Sequence, residues 1–363
     1  MKIGVLKETD DKRVALTPET LKKHPDVAAH TIIESGAGLN AGFNDDAYTA
    51  VAGVVSRDEV LKGAQVVITV NPLADEEMAK LTPGTILISM FEPYNNPDIT
   101  GQIEKHKLGA FSLDMIPRTT LAQSMDILSS MASISGYKAV LTAANQLPRY
   151  FPMMITAAGS IRPAQVLILG AGVAGLQAIA TAKRLGAMVE ASDVRQAAKE
   201  EVMSLGAKFV EVEGAKEDTT AGGYAVEQTK EFLERQKAEV QRRAAKADVI
   251  ITTAQVRGRK APILLPKSTV DQMKPGSVII DLAASSGGNC ELTQGNSTYQ
   301  YNGVTIIGNS DLAEEMPQDA SRLFSNNLMN FLKLLIKDGA LSIDMDNEII
   351  AGSCIVPLEN SSK

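Results

Sequence analysis

Four apolar residues, Val166 to Leu169, run directly into Gly170-Ala171-Gly172-Val173-Ala174-Gly175, and an alanine-rich stretch of helical character comes next. Few arrangements accommodate that run: a buried strand, a turn too tight for side chains, and a helix packed back on the strand it follows. In such a unit the first glycine makes the turn. The second leaves bare backbone where a pyrophosphate approaches, and the third lets helix and strand touch. The helix start then directs free N–H groups and the positive end of its dipole at the phosphates. Gly170, Gly172, Val173, Ala174 and Gly175 are therefore the expected backbone cradle of a dinucleotide.

The surroundings of this unit set the fold class. At 363 residues the chain exceeds what one hydrophobic core usually organises, so two domains are expected. Strand-like runs at 2–6, 31–33, 65–70 and 85–90 alternate with helical stretches at 18–23 and 45–52, the pattern of a parallel sheet covered on both faces. A helical pattern without proline spans 121–147, and Pro148, Pro152 and Pro163 punctuate the next segment. A second alternation has strands at 165–169, 187–191, 208–212, 248–252, 277–281 and 304–307, with helices at 173–185, 194–205 and 319–336. The expectation is an α/β protein of two doubly wound, Rossmann-like domains with a nucleotide cleft between them. The first comprises residues 1–130 with 325–363 and the second residues 131–324. The stretch 214–228, with charges and a Gly-Gly pair, reads as a surface loop.

Composition excludes several function classes. A net charge of −7 opposes wrapping a phosphate backbone, so nucleic acid is not an expected partner. No apolar stretch approaches the roughly 20 residues that cross a bilayer, and the amino terminus lacks the features of a secretion signal, which gives a cytoplasmic expectation. Cys290 and Cys354 are too few for a disulfide framework or a thiolate zinc site, and no metal is expected. The three histidines, His24, His30 and His106, lie far in sequence from the glycine motif.

Two polar sets qualify as ligand contacts. Asp193 ends the next strand, 23 positions after Gly170, where a carboxylate accepts hydrogen bonds from adenosine ribose hydroxyls and repels a 2′-phosphate. It would equally cap a helix starting at Val194, and neighbouring Arg195 would tolerate a 2′-phosphate. In the helical reading of 121–147, Gln123, Asp126 and Ser130 fall at i, i+3 and i+7, with Ser129 beside them, which makes one polar face. Asp126 and Arg118 offer the acceptor and donor that a carboxamide requires, although a polar helix face is also what solvent favours.

Pro117-Arg118, Ala122 to Ser130, Gly136-Tyr137, Ile155 to Gly159, Gly170 to Ala180, Lys274 to Ala283 and Gly287 to Cys290 together resemble the NAD(H)-binding component, domain I, of proton-translocating transhydrogenases. These belong to the alanine dehydrogenase and transhydrogenase superfamily. The resemblance implies NAD(H) bound here, a homodimer, and Re/Si-specific hydride exchange with NADP(H) held on a separate domain III. It also implies a membrane-spanning partner subunit that attaches the chain peripherally to the inner, cytoplasmic membrane. It assigns Arg118, Gln123, Asp126 and Ser129 to the nicotinamide and its ribose, and Asp193 to the adenosine ribose. Gln123, Arg118 and Asp126 become the catalytic set, and Tyr224 lies on a loop that closes over the nucleotide. Leu121, where an arginine is common in the family, and the basic loop Arg257-Gly258-Arg259-Lys260 depart from the pattern.

Two rival functions remain at this stage. Lys12-Arg13-Val14-Ala15-Leu16-Thr17-Pro18 resembles the substrate-carboxylate arginine segment of alanine dehydrogenase. Oxidising a C–N centre requires an acid–base group, however, and where those relatives place lysine and histidine this chain has Thr69-Val70-Asn71-Pro72 and Ser89-Met90-Phe91-Glu92-Pro93. Arg13 is accordingly expected to be structural, tied to a carboxylate such as Glu8. The other rival is a non-catalytic NAD(H) sensor.

Overall fold

The structure, a computed structural model, describes residues 1–212, 230–337 and 339–358. The chain forms two compact units, Met1–Met131 with Ala313–Lys363, and Ala132–Leu312. The expected boundary at 324/325 falls inside the helix Pro317–Leu335, which belongs wholly to the first unit. The reason is local: Ser321 and Ser325 of that helix accept the backbone N–H groups of Val14 and Thr17 at 2.9 and 3.0 Å.

The first unit is built on six parallel strands: β1 (Ile3–Val5), β2 (Thr31–Glu34), β3 (Gly53–Val55), β4 (Val66–Ile68), β5 (Ile86–Ser89) and β6 (Gly109–Ser112). Their order is β6-β5-β4-β1-β2-β3, so the winding direction reverses between β1 and β4. All residues of β1, β4, β5 and β6 are buried, as continuous apolar runs in a sheet covered on both faces require. The helix Arg57–Gly63, started by a Ser56–Glu59 capping box, lies so close to β1 that a Cβ on Gly4 would stand 2.5 Å from Val60 Cγ1.

Among the described residues the main sheet of the second unit has seven strands: β7 (Gln165–Leu169), β8 (Met188–Ser192), β9 (Lys208–Phe209), β10 (Val249–Thr252), β11 (Val278–Asp281), β12 (Ser297–Tyr301) and β13 (Val304–Gly308). The order is β9-β8-β7-β10-β11-β13-β12, parallel except for β12. The reversal between β7 and β10 places the glycine turn at a topological switch point, where doubly wound sheets receive ligands. Ile168, Ala178, Ile179 and Ile251 belong to one core, and Leu167, Ile250 and Ile279 to the other. The last strand, β14 (Cys354–Val356), returns to the first unit and pairs antiparallel with β6.

Two helix boundaries differ from the sequence pattern, and in each case a carboxylate intervenes. The long helix begins at Ile127 rather than Leu121, after a single 3-10 turn at Gln123–Met125. Asp126 has left the helical region (φ −75°, ψ 85°), and its two oxygens accept the Ser129 N–H at 2.9 Å and the Ser129 hydroxyl at 2.6 Å. It is a helix cap. After β8, the Asp193 carboxylate accepts the Arg195 N–H, and the helix expected from Val194 starts only at Ala198. The stretch 214–228, and with it Tyr224, lies outside the described residues.

Candidate functional site

In the second unit two of the three glycines are demanded by the fold and the third is not. Gly170 has φ +102°, a left-handed conformation, and a Cβ there would stand 2.5 Å from Thr253 Oγ1. Its N–H donates to Ser192 at 2.8 Å, and its carbonyl accepts the Thr253 hydroxyl at 3.0 Å. At Gly175 a Cβ would lie 1.9 Å from the Gly170 carbonyl oxygen, so helix and turn are in backbone contact. Gly172 is the contrast: its φ of −75° suits any residue, and a Cβ would meet nothing within 4 Å. Fold geometry does not demand glycine there, whereas a ligand pressing on bare backbone does. Gly172 also starts the helix Val173–Arg184 with no side-chain cap, which leaves the first-turn N–H groups without a side-chain partner. The long helix approaches from the other side, and a Cβ on Gly136 would come within 2.1 Å of the Ala174 carbonyl oxygen.

Asp193 stands next to this turn with its side chain 8% exposed. It accepts the Ala171 N–H at 2.7 Å, the Arg195 N–H at 2.8 Å, and Arg195 Nε and Nη2 at 3.1 Å each. Burial pushes its carboxyl upward, but the Arg195 guanidinium and the two backbone N–H groups outweigh this and hold it below the usual range. Asp193 is thus ionised and caps no helix. Arg195 is spent on Asp193 and on the Ala171 carbonyl, 3.2 Å from Nη2. The guanidinium next to the turn is thus paired with Asp193, with its side chain half exposed.

The sequence reading missed the support beneath the turn. Asp281, fully buried at the end of β11, accepts the Thr252 hydroxyl at 2.9 Å, the Asn289 N–H at 2.7 Å and the Thr293 hydroxyl at 2.5 Å. Asn289 donates to the carbonyls of Ala254 and Pro262 at 2.8 Å each and accepts the Ala254 N–H at 2.9 Å. Together they fix the segment after β10 that bears Thr253. A polar asparagine beside Gly287-Gly288 was the available signal.

In the first unit, Asp114, Arg118, Thr119, Gln123, Asp126 and Ser129 line a cavity of about 320 Å³. The polar helix face does not exist as such, because Gln123 lies on the 3-10 turn, Asp126 caps, and Ser129 occupies the first helical turn. The cavity nevertheless brings these residues together. Arg118 and Gln123 are exposed, and the Ser129 hydroxyl is committed to Asp126. A carboxylate oxygen accepting one hydrogen bond retains capacity for another, so Asp126 can still serve an amide. The preceding turn is anchored by Asn327 and Asn330, which donate to the Ser124 carbonyl at 2.8 and 3.1 Å. The departures from the family pattern, Leu121 and Arg257 to Lys260, are exposed.

Arg13 is buried and pairs with Asp11, Nε lying 3.0 Å from both carboxylate oxygens and Nη2 2.5 Å from one, and its charge also acts on Glu8. Glu8 instead accepts the N–H of Val70 at 2.7 Å and that of Asn71 at 3.2 Å. Burial pushes its carboxyl up to about 7 despite those two N–H groups. Among the described residues no group of three or more His, Cys, Asp or Glu is arranged to hold a metal ion, and no helix is long and apolar enough to cross a membrane.

The profile of the alanine dehydrogenase/PNT N-terminal domain matches residues 4–135, and that of the C-terminal domain matches 139–359. An NAD(P) transhydrogenase subunit alpha polypeptide of Rhodospirillum rubrum is 43% identical over 368 aligned residues, covering 98% of this chain and 96% of the relative. A transhydrogenase structure from Sinorhizobium meliloti superposes with a TM-score of 0.90 at 38% identity, over 99% of both chains. An L-alanine dehydrogenase structure stands further off, with a TM-score of 0.79 at 25% identity over 99% of this chain and 96% of that one. Matched along both domains, and most similar among these to transhydrogenase alpha subunits, the chain belongs to the alanine dehydrogenase/PNT family.

Proposed function

We propose that the chain is the NAD(H)-binding, hydride-transferring component of a proton-translocating, Re/Si-specific nicotinamide nucleotide transhydrogenase. In this reading it works as a homodimer held at the inner membrane by a membrane-spanning subunit. NADP(H) sits on a partner's domain III. The observation that carries the reading is Gly172, a glycine that the fold leaves free and a pyrophosphate requires.

Residues Gly170 to Gly175 take the pyrophosphate, and Asp193 takes the adenosine ribose. Arg118, Gln123, Asp126 and Ser129 take the nicotinamide and its ribose. When bound, NADH supplies a hydride and its electron pair to NADP(+), leaving NAD(+) and NADPH. No proton moves to or from the protein in that exchange, so the residues need only bind, orient and keep water out. Arg118 donates to the carboxamide oxygen, Asp126 accepts from its amide, and Gln123 orients the ring.

The amino acid dehydrogenase alternative lacks support on two counts. Asp11 already engages Arg13 through Nε and Nη2, and Asn71 and Glu92 stand in the segments where an acid–base lysine or histidine is needed. The test adds NADH and a thionicotinamide analogue of NADP(+) to the chain with its NADP(H)-binding component. Hydride exchange is expected, and pyruvate with ammonium leaves NADH unoxidised. NADH oxidation by pyruvate and ammonium with the isolated chain would overturn the proposal in favour of a dehydrogenase. NADH binding with neither turnover would leave a sensor.

A further inference from the structure

Among the described residues one buried side-chain polar atom has no hydrogen-bond partner, the Thr119 hydroxyl oxygen. Leaving a buried hydroxyl unpaired is costly, and the other buried threonines of this chain avoid it. Thr31 donates to the Val27 carbonyl at 2.8 Å, Thr252 to Asp281 at 2.9 Å and Thr269 to Gln241 at 2.6 Å. Thr119 lines the cavity that also presents Arg118, Gln123, Asp126 and Ser129. The orphan therefore coincides with the group of side chains assigned to the nicotinamide.

The segment is held at both ends and irregular between them. Pro117 is pressed against the helix Glu348–Ser353, where a Cβ on Gly352 would stand 2.6 Å from Pro117 Cγ, and Ala122 is 1% exposed. Between these anchors the backbone makes two turn bonds, Thr119 N–H to Pro117 at 3.0 Å and Ala122 N–H to Thr119 at 3.1 Å. One χ1 step moves a threonine hydroxyl on such a segment to another staggered position, with the backbone unmoved.

We propose that Thr119 is a binding residue whose hydroxyl hydrogen-bonds the nicotinamide riboside half of NAD(H). The inference rests on the function proposed above. The unpaired hydroxyl penalises the free protein, and ligand binding removes that penalty.

Thr119→Val keeps the shape and deletes the hydroxyl, so stability and affinity should move in opposite directions. The free protein should melt at or above the wild-type temperature, while NADH, titrated by fluorescence, binds about five- to tenfold more weakly, as the loss of one hydrogen bond predicts. Adenosine diphosphate, which lacks the nicotinamide half, should bind both proteins alike, and Thr119→Ser should retain wild-type NADH affinity. Thr119→Val binding NADH within about twofold of wild type would overturn the inference while leaving the proposed function standing, since such a difference is less than one hydrogen bond. A loss in Thr119→Ser equal to that in Thr119→Val would overturn it too, by showing that shape matters rather than the hydroxyl. Failure of the wild-type chain to bind NADH would remove the function and this inference together.

Discussion

Replacing Gly172 with alanine separates what the fold needs from what the ligand needs. The added methyl meets no atom within 4 Å, and the backbone at φ −75° accepts it. Two small effects on stability then oppose each other. Alanine narrows the unfolded ensemble, worth about 0.4–1 kcal/mol, and it is a poorer helix start than glycine by a similar amount. The variant should unfold within about 1 kcal/mol of wild type. In the proposed binding mode the methyl would occupy the space through which a pyrophosphate oxygen reaches the helix start. Displacing one charge-assisted bond to a backbone N–H costs about 1.5–3 kcal/mol, roughly a tenfold to hundredfold loss of NADH affinity. Gly175→Ala supplies the contrast, because its Cβ would sit 1.9 Å from the Gly170 carbonyl oxygen and the turn must distort. That variant should lose at least about 1–3 kcal/mol of stability, the usual scale of overpacking. Thermal unfolding and NADH fluorescence titration on the two proteins read both quantities. Gly172→Ala binding NADH as tightly as wild type would refute the reasoning, whatever its stability.

Three further outcomes are expected from the same geometry. Asp193→Ala should weaken NADH more than NADPH in a fluorescence titration, because it removes the ribose acceptor and releases Arg195 to face a 2′-phosphate; equal losses would contradict the assigned role. Asp126→Asn preserves a helix-capping oxygen and should keep the wild-type melting temperature while lowering NADH affinity, whereas Asp126→Ala should also lose about 1 kcal/mol of stability. If Asn leaves affinity intact, the carboxylate is only a cap. Glu8 titrates higher in the folded protein than in the unfolded chain, so the native state holds an extra proton between about pH 4.5 and about 7, and stability falls as pH rises through that window. The full effect is at most roughly 3 kcal/mol, and Glu8→Gln should flatten it in urea unfolding measured at pH 5 and pH 8.

The elements legible in the sequence were those specified by neighbouring residues. Val166 to Gly175 names a strand, a turn and a helix start without outside help, and β7 matches the expected strand at both ends. The buried strands β1, β4, β5, β7, β10, β11 and β13 read clearly because apolar runs have few alternatives, whereas β6, equally buried but only four residues of mixed Gly-Ala-Phe-Ser, carries no such run and was not expected. What escaped depends on distant residues or on one side chain turning back on its own backbone. Asp126 looked like a member of a continuous helix because periodicity is blind to a carboxylate that accepts the N–H three residues on. Arg13 had several acidic neighbours in sequence, and only the folded loop brings Asp11 into direct hydrogen bonding with it. Asp281 and Asn289 carry no periodicity at all, and their importance comes from joining three loops that lie far apart along the chain.

The pairing of β14 with β6 gives synthesis a direction. A ribosome releases residues in order, so the second unit, continuous from Ala132 to Leu312, has its whole sheet available before the first unit does. The earlier 131 residues must wait with the β6 edge bare, and with the N–H groups of Val14 and Thr17 lacking the serines of a helix not yet made. An uncovered strand edge invites pairing with other chains, which makes the interval before residue 356 emerges the time when a nascent copy is most open to aggregation.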